Sequence, residues 1–193
     1  MFKVGITGGI GSGKSLVCKI FETLGVPIFS ADLEAKSLLK SSAVIDFYKN
    51  EFGDIVFTNN QLDKQKISNL IFNDKNIIEM INNFIHPLVL NLFNEWCYAH
   101  ADSPYVIKEA ALLFESGAYK TLDYNILICA PEEIRIQRVM ERNQLSKEQI
   151  LQRMNNQWLD AQKTLLANLI LNNDNKEPIL SKILETHKHF LNQ

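Results

Sequence analysis

One octapeptide near the start constrains this chain more than anything else in it. Gly8-Gly9-Ile10-Gly11-Ser12-Gly13-Lys14-Ser15 fits the G-x-x-x-x-G-K-[ST] spacing of a phosphate-binding loop. The strand-like run Phe2-Lys3-Val4-Gly5-Ile6-Thr7 leads into it, and a helix-like run from Leu16 to Leu24 leads out. Its glycines let the backbone wrap tightly and aim several N–H groups at one point. The N-terminus of the following helix adds partial positive charge there. Lys14 has the reach to touch the β- and γ-phosphates of a nucleotide, and the Ser15 hydroxyl can hold Mg²⁺. Gly9, Ile10, Gly11, Ser12, Gly13, Lys14 and Ser15 are therefore the expected nucleotide-binding residues, with Ser15 the expected metal ligand.

The rest of the chain alternates strand and helix. Val17, Ile20, Phe21 and Leu24 recur at helical spacing, and Gly25 supplies a C′ stop. Val26-Pro27-Ile28-Phe29 reads as a short second strand, and Leu33 to Leu39 as a helix. Asp32 lies between them. Ligands of a parallel α/β sheet sit beyond the carboxyl ends of its strands, so Asp32 is expected to face the same crevice as the phosphate loop. Residues 41–62 carry a helix signal in Phe47, Tyr48 and Phe52, and turn signals at Gly53-Asp54 and Asn59-Asn60.

Ile67, Leu70, Ile71, Ile77, Ile78, Ile81, Phe84, Ile85, Leu88, Leu92, Phe93 and Trp96 then keep a helical period. Pro87 predicts a break there, with a new helix running from Pro87 to about Ala99. This stretch, about 41–102, is expected as a helical arm inserted between strands two and three. Tyr105–Glu109, Tyr124–Cys129 and Leu169–Leu171 supply the remaining strands. Pro131-Glu132-Glu133 opens a helix, Ser146-Lys147-Glu148-Gln149 is a capping-box pattern, and Pro178 to Phe190 closes the chain as a helix. The expectation is a parallel α/β sandwich forming one unit over 1–193, its core at 1–40 and 103–193.

Twenty Lys and Arg against 22 Asp and Glu leave a net charge of −2, which argues against a nucleic-acid surface driven by bulk charge. Cys18, Cys97 and Cys129 are far apart and form no C-x-x-C pair, so neither a zinc site nor a disulfide framework is expected. The chain enters its first strand at once, and no apolar run reaches membrane-spanning length. A cytoplasmic protein with no membrane, nucleic-acid or obligatory protein partner is expected. No Asp has a Gly three places on, and Asn175-Lys176-Glu177-Pro178 ends wrongly for a guanine-binding N-K-x-D, which disfavours a regulatory GTPase.

Several side chains carry candidate chemistry beside a structural alternative. Asp32 can take the proton of an accepting hydroxyl, or merely cap the next helix. Arg135, Arg138 and Arg142 form one helical stripe that can close over phosphates, or a solvated face paired with Glu132 and Glu141; the solvated face is the expectation for Arg135. Glu109, ending strand three, can orient Mg²⁺ or pair with Lys108 or Lys120. Glu115 reads as an acid opening a helix, His86 as a structural residue at a helix junction, and Trp96 and Trp158 as packing.

With these residues in place, the chain resembles the dephospho-coenzyme A kinases. The resemblance runs through Gly5 to Ser15, Leu24-Gly25-Val26-Pro27, Ala31-Asp32, His86-Pro87, Leu112-Leu113-Phe114-Glu115, Arg138 to Arg142, Gln157 and Asn172. It implies an α/β P-loop fold like that of adenylate kinase: a parallel five-stranded sheet between helices, an inserted helical substrate-binding arm, and a mobile lid at about 138–163. It implies transfer of the γ-phosphoryl group of Mg²⁺-bound ATP to the ribose 3′-hydroxyl of dephospho-coenzyme A. Asp32 matches the family's base, and Arg138 and Arg142 its lid arginines; with Lys14 these are the expected catalytic residues. Asn172 falls in the loop near adenine, and Thr7, Asp32, His86, Glu109 and Leu113 are expected on the acceptor side. Departures stand at Leu16 for Thr, Ser30 for Asp, Lys36 for Arg and Ala111 for Pro. Two alternatives accompany this reading: a nucleoside or nucleotide kinase of the same fold, and a nucleotide-sensing module without turnover.

Overall fold

The computed structural model describes the backbone of residues 1–193 and all side chains except those of Ile71, Phe72, Asn73 and Lys75, so the Ile71 side chain of the periodic run lies outside the described residues. Two compact units are present, Met1–Ser30 with Trp96–Gln193, and Ala31–Glu95.

The first unit is built on β1 (Phe2–Gly8), β2 (Ile28–Ser30), β5 (Tyr105–Glu109), β6 (Tyr124–Cys129) and β7 (Leu169–Asn172). They form one sheet in the order β2-β5-β1-β6-β7, every pairing parallel. Strand two begins at Ile28, later than its sequence suggests. Pro27 has no N–H to give to the ladder, and its carbonyl instead accepts from the Ile107 N–H at 3.0 Å. Along β1 the residues alternate. Val4 and Ile6 join Tyr105, Ile107, Ile126, Ile128 and Leu171 on one face. There α1 (Lys14–Thr23) contributes Val17, Cys18 and Phe21, and α9 (Ile179–Phe190) contributes Ile179, Ile183 and Phe190. Each large side chain buried this way contributes about 1.5–3 kcal/mol. On the other face Gly5 is needed for close approach: a Cβ there would lie 2.7 Å from Leu113, Leu122 and Asn125 side-chain atoms.

After β6 come α6 (Glu132–Asn143), α7 (Lys147–Asn155) and α8 (Asp160–Thr164). The predicted capping box at Ser146 and Gln149 is present. Ile136, Val139 and Ile150 form a small apolar cluster between α6 and α7, and Ile10 of the phosphate loop packs against it.

The second unit holds α2 (Ala31–Leu38), α3 (Ser42–Phe52), a hairpin of β3 (Phe57–Thr58) and β4 (Gln61–Leu62), α4 (Lys64–Asn73) and most of α5 (Lys75–Ala99). Asn59 and Asn60 make the hairpin turn with φ of 50° and 60°, the left-handed pair that a two-residue primed turn requires. Phe47 of α3 stacks on Phe84 of α5 with ring centroids 4.0 Å apart. The break predicted at Pro87 does not occur, and α5 runs through it. A proline inside a helix costs about 3 kcal/mol. Ile81, Ile85, Val89, Phe93 and Cys97 form an unbroken buried stripe across it, and ending the helix there would give up that burial.

Candidate active site

The parallel register brings the carboxyl ends of the first unit's strands to one edge. Ile6 pairs with Glu109, Gly8 with Ile128, and Cys129 with Asn172. The phosphate loop leaves β1 at this edge. Gly11 and Gly13 take φ of 80° and 98°, and Gly13 stands at the N-cap of α1. The Gly13 carbonyl accepts from the N–H groups of Leu16 and Val17, both at 3.1 Å, which starts the helix. Lys14 Nζ donates to the Gly8 carbonyl at 2.8 Å and to the Gly9 carbonyl at 3.4 Å, so the ammonium lies over the loop. Ser15 Oγ donates to Glu109 Oε1 at 3.1 Å. A hydroxyl and a carboxylate thus stand together at the start of α1, both hard oxygen donors. Among the described residues no group of three or more His, Cys, Asp or Glu side chains could hold a metal.

The loop is gripped from the segment that follows β6. Arg138 donates to the Ser12 carbonyl at 3.4 Å, and to Asn173 Oδ1 at 3.4 Å and Asn175 Oδ1 at 2.6 Å. Arg135 is not on a solvated face: it is 8% exposed, and its Nε donates to the Ile10 carbonyl at 3.0 Å. Its Nη1 meets Asp160 Oδ2 at 3.4 Å. Gln157 Oε1 accepts from the Ile10 N–H at 2.9 Å, while Gln157 Nε2 donates to the Ala111 carbonyl at 3.4 Å. Arg142, by contrast, is exposed and donates to Asn143 Oδ1 at 2.8 Å.

The other expected residues divide between the two units. Thr7 is fully buried, its hydroxyl donating to the Ala111 carbonyl at 3.5 Å, and Leu113, in the segment after β5, is fully buried as well. Asn172 ends β7 with an exposed side chain. The next residue, Asn173, is the one turned inward, with Nδ2 donating to the Ser12 carbonyl at 2.8 Å. A count of two per strand residue could have found it, since Leu171 is buried and Asn173 shares its side. Glu115 opens no helix. Its Oε1 accepts from the Trp158 N–H at 3.0 Å and forms an ion pair with the fully buried Lys163 ammonium, also at 3.0 Å. Asp32 and His86 belong to the second unit. Asp32 is exposed in the first turn of α2, which begins at Ala31, so it sits inside the helix and not at the preceding cap position. His86 is half-buried within α5.

A five-stranded parallel sheet with a phosphate loop between β1 and α1, and an arginine laid on that loop from a later helix, defines a P-loop kinase of the small-molecule type. Within that class, the family model for dephospho-CoA kinase matches residues 2–178, and the chain belongs to this family. It is 36% identical over 188 residues to the dephospho-CoA kinase of Bacteroides fragilis, covering 95% of this chain and 90% of the other. A Thermus thermophilus crystal structure superposes with a TM-score of 0.88 at 31% identity, covering 97% of this chain and 96% of that one. The dephospho-CoA kinase of Campylobacter jejuni does so with 0.71 at 25% identity, covering 98% and 97%.

Proposed function

We propose that this protein transfers the γ-phosphoryl group of ATP to the ribose 3′-hydroxyl of dephospho-coenzyme A, the last step of coenzyme A biosynthesis. The observation that carries the reading is the Lys14, Ser15 and Glu109 constellation on the phosphate loop, in a chain of this family. Phosphoryl transfer asks the protein for positioning and charge neutralisation more than for covalent chemistry. Lys14 exchanges loop carbonyls for phosphate oxygens. Arg138, already on the loop, neutralises charge spreading over the transferred group, and Arg142 joins it from the exposed end of α6. Ser15 and Glu109 would hold Mg²⁺ directly or through water, and the ion would supply positive charge to offset that of the nucleotide phosphates. Gly9 to Gly13 supply N–H donors, and Asn172 lines the adenine side.

Asp32 takes the proton of the 3′-hydroxyl. That assignment rests on the sequence resemblance and on an exposed carboxylate in the first turn after β2. Thr7, His86, Glu109 and Leu113 are assigned to the acceptor, residues 41–102 to the arm that binds it, and 138–163 to the lid. Among the described residues no helix is long and apolar enough to cross a membrane. A cytoplasmic site of action fits that observation.

A coupled assay of ADP release tests the reading, with ATP and Mg²⁺ offered against dephospho-coenzyme A, adenosine and AMP. Turnover should favour dephospho-coenzyme A by orders of magnitude. Faster turnover of adenosine or AMP would replace the proposal with a nucleoside or nucleotide kinase.

A further inference from the structure

Ile10, at the crest of the phosphate loop, is fastened at every point it offers. Its N–H goes to Gln157 Oε1 at 2.9 Å, its carbonyl to Arg135 Nε at 3.0 Å, and its side chain packs against the Ile136, Val139 and Ile150 cluster. The two polar contacts fix two successive peptide planes. In a trans peptide the carbonyl and the N–H point in opposite directions. The 9–10 plane shows the consequence: its N–H faces Gln157, while its carbonyl, that of Gly9, turns the other way and accepts from the Ser12 N–H at 3.1 Å and Lys14 Nζ at 3.4 Å. The 10–11 plane obeys the same rule. Its carbonyl is held by Arg135, so its N–H, that of Gly11, is turned away from the guanidinium.

The Arg135 guanidinium has little freedom to release that plane. It is 8% exposed and is braced by Asp160 Oδ2 at 3.4 Å. It also lies so close over the loop that a Cβ on Gly9 would strike its Nη2; the Arg135 backbone is close as well, and a Cβ on Gly11 would strike its carbonyl. We infer that Arg135 is a positioning residue for catalysis: by holding the Ile10 carbonyl it aims the Gly11 N–H as a donor to a nucleotide phosphate oxygen. It does so without touching the nucleotide itself. Asp160 fixes the guanidinium in turn, which ties the aim of the loop to the segment where α7 gives way to α8.

The inference rests on the reading of residues 8–15 as an ATP site, and the experiment separates the two. ATP and ADP are titrated calorimetrically into the full chain without acceptor, for wild type, Arg135→Met, Arg135→Lys and Asp160→Asn. Steady-state KM values for ATP and for dephospho-coenzyme A are measured on the same preparations. Loss of one charge-assisted hydrogen bond predicts ATP affinity and KM for ATP worse by roughly tenfold in Arg135→Met, with the acceptor KM unchanged. Arg135→Lys should recover part of this, since an ammonium offers a donor but not the braced planar fork. Asp160→Asn, which keeps Arg135, should weaken ATP by a smaller factor and remains informative if Arg135→Met does not fold. In ¹⁵N-labelled protein the Gly11 amide resonance should shift on adding ADP in wild type and shift less in Arg135→Lys. Unchanged ATP affinity in the Arg135 variants beside a lowered melting temperature would overturn the inference and leave Arg135 a packing residue. A wild-type chain that binds no ATP would overturn the nucleotide reading and the inference with it.

Discussion

Asn173 Nδ2 donates to the carbonyl of Ser12 across 2.8 Å, a buried contact that ties the loop after the last strand to the phosphate loop. The same side chain accepts from Arg138 at 3.4 Å, and a Cβ on Gly13 would collide with its amide nitrogen. Asn173 itself is anchored by its own N–H on the Cys129 carbonyl at 2.8 Å.

Direction of donation gives the first prediction. Asn173→Ala removes the donor and leaves the Ser12 carbonyl without that partner, which costs about 1–3 kcal/mol when the group stays buried. Asn173→Asp preserves shape but sets a carboxylate oxygen against a carbonyl oxygen. The aspartate variant should therefore be less stable than the alanine variant in urea, and should bind ADP more weakly. An aspartate variant as stable as wild type would mean that pairing with Arg138 outweighs the contact with Ser12.

How much of this was legible in the sequence follows from the range of each interaction. The loop was legible because its eight residues are contiguous. The strands at Tyr105–Glu109 and Tyr124–Cys129 match the structure because their apolar runs are bounded by turn residues. Pro87 misled because local cost is visible in sequence, while the buried stripe opposing it is tertiary. The hairpin at 57–62 has two-residue strands, too short for any periodicity, though Asn59-Asn60 marked its turn. Arg135 looked like a solvated residue because its partners, Ile10 and Asp160, are 125 and 25 positions away. The Glu115 to Lys163 pair was hidden for the same reason.

That pair yields a second prediction. Lys163 is fully buried and Glu115 nearly so, at 3.0 Å, with side-chain exposures of 0% and 12%. Removing one partner of a buried pair strands the other charge and costs about 3–5 kcal/mol. Lys163→Met alone should therefore destabilise strongly, and adding Glu115→Gln should recover part of the loss. Chemical denaturation of both single variants and the double would measure the coupling. Additive losses would show that the two side chains do not act as a pair.

Lys108, 3% exposed in β5, gives a pH signature. Burial pushes its ammonium down from 10.5 to about 8, with Cys97 opposing and Lys3 reinforcing the shift. Between these two values the unfolded chain holds a proton that the folded chain has lost, so folding stability rises with pH across that window. The contribution is full above 10.5 and is lost as pH falls to about 8. Over the whole window it amounts to about 3 kcal/mol. Lys108→Met should flatten the rise in stability between pH 8 and 10 relative to wild type. Parallel stability curves for the two proteins would assign the wild-type slope to other groups.

Asp32 offers the sharpest division between a chemical role and a structural one. Because α2 begins at Ala31, its carboxylate lies in the first turn, where it can favour the helix dipole without serving as the cap. A purely structural role is then worth about 0.3–1 kcal/mol, and Asn, uncharged and of the same shape, would forfeit only that. A base must carry charge to accept the proton of the 3′-hydroxyl, so Asp32→Asn should lower turnover by roughly 10²-fold or more. The loss falls toward the low end if the hydroxyl proton departs late in a loose transition state. ATP affinity, which depends on the loop residues, should stay at the wild-type value. Denaturation, ADP titration and turnover measured on one preparation resolve the three terms. An Asn variant within 1 kcal/mol of wild type in stability, with full nucleotide affinity and turnover reduced about a hundredfold, assigns the proton to Asp32. The same stability and affinity with undiminished turnover would return Asp32 to the helix dipole and send the search for the base elsewhere in residues 31–95.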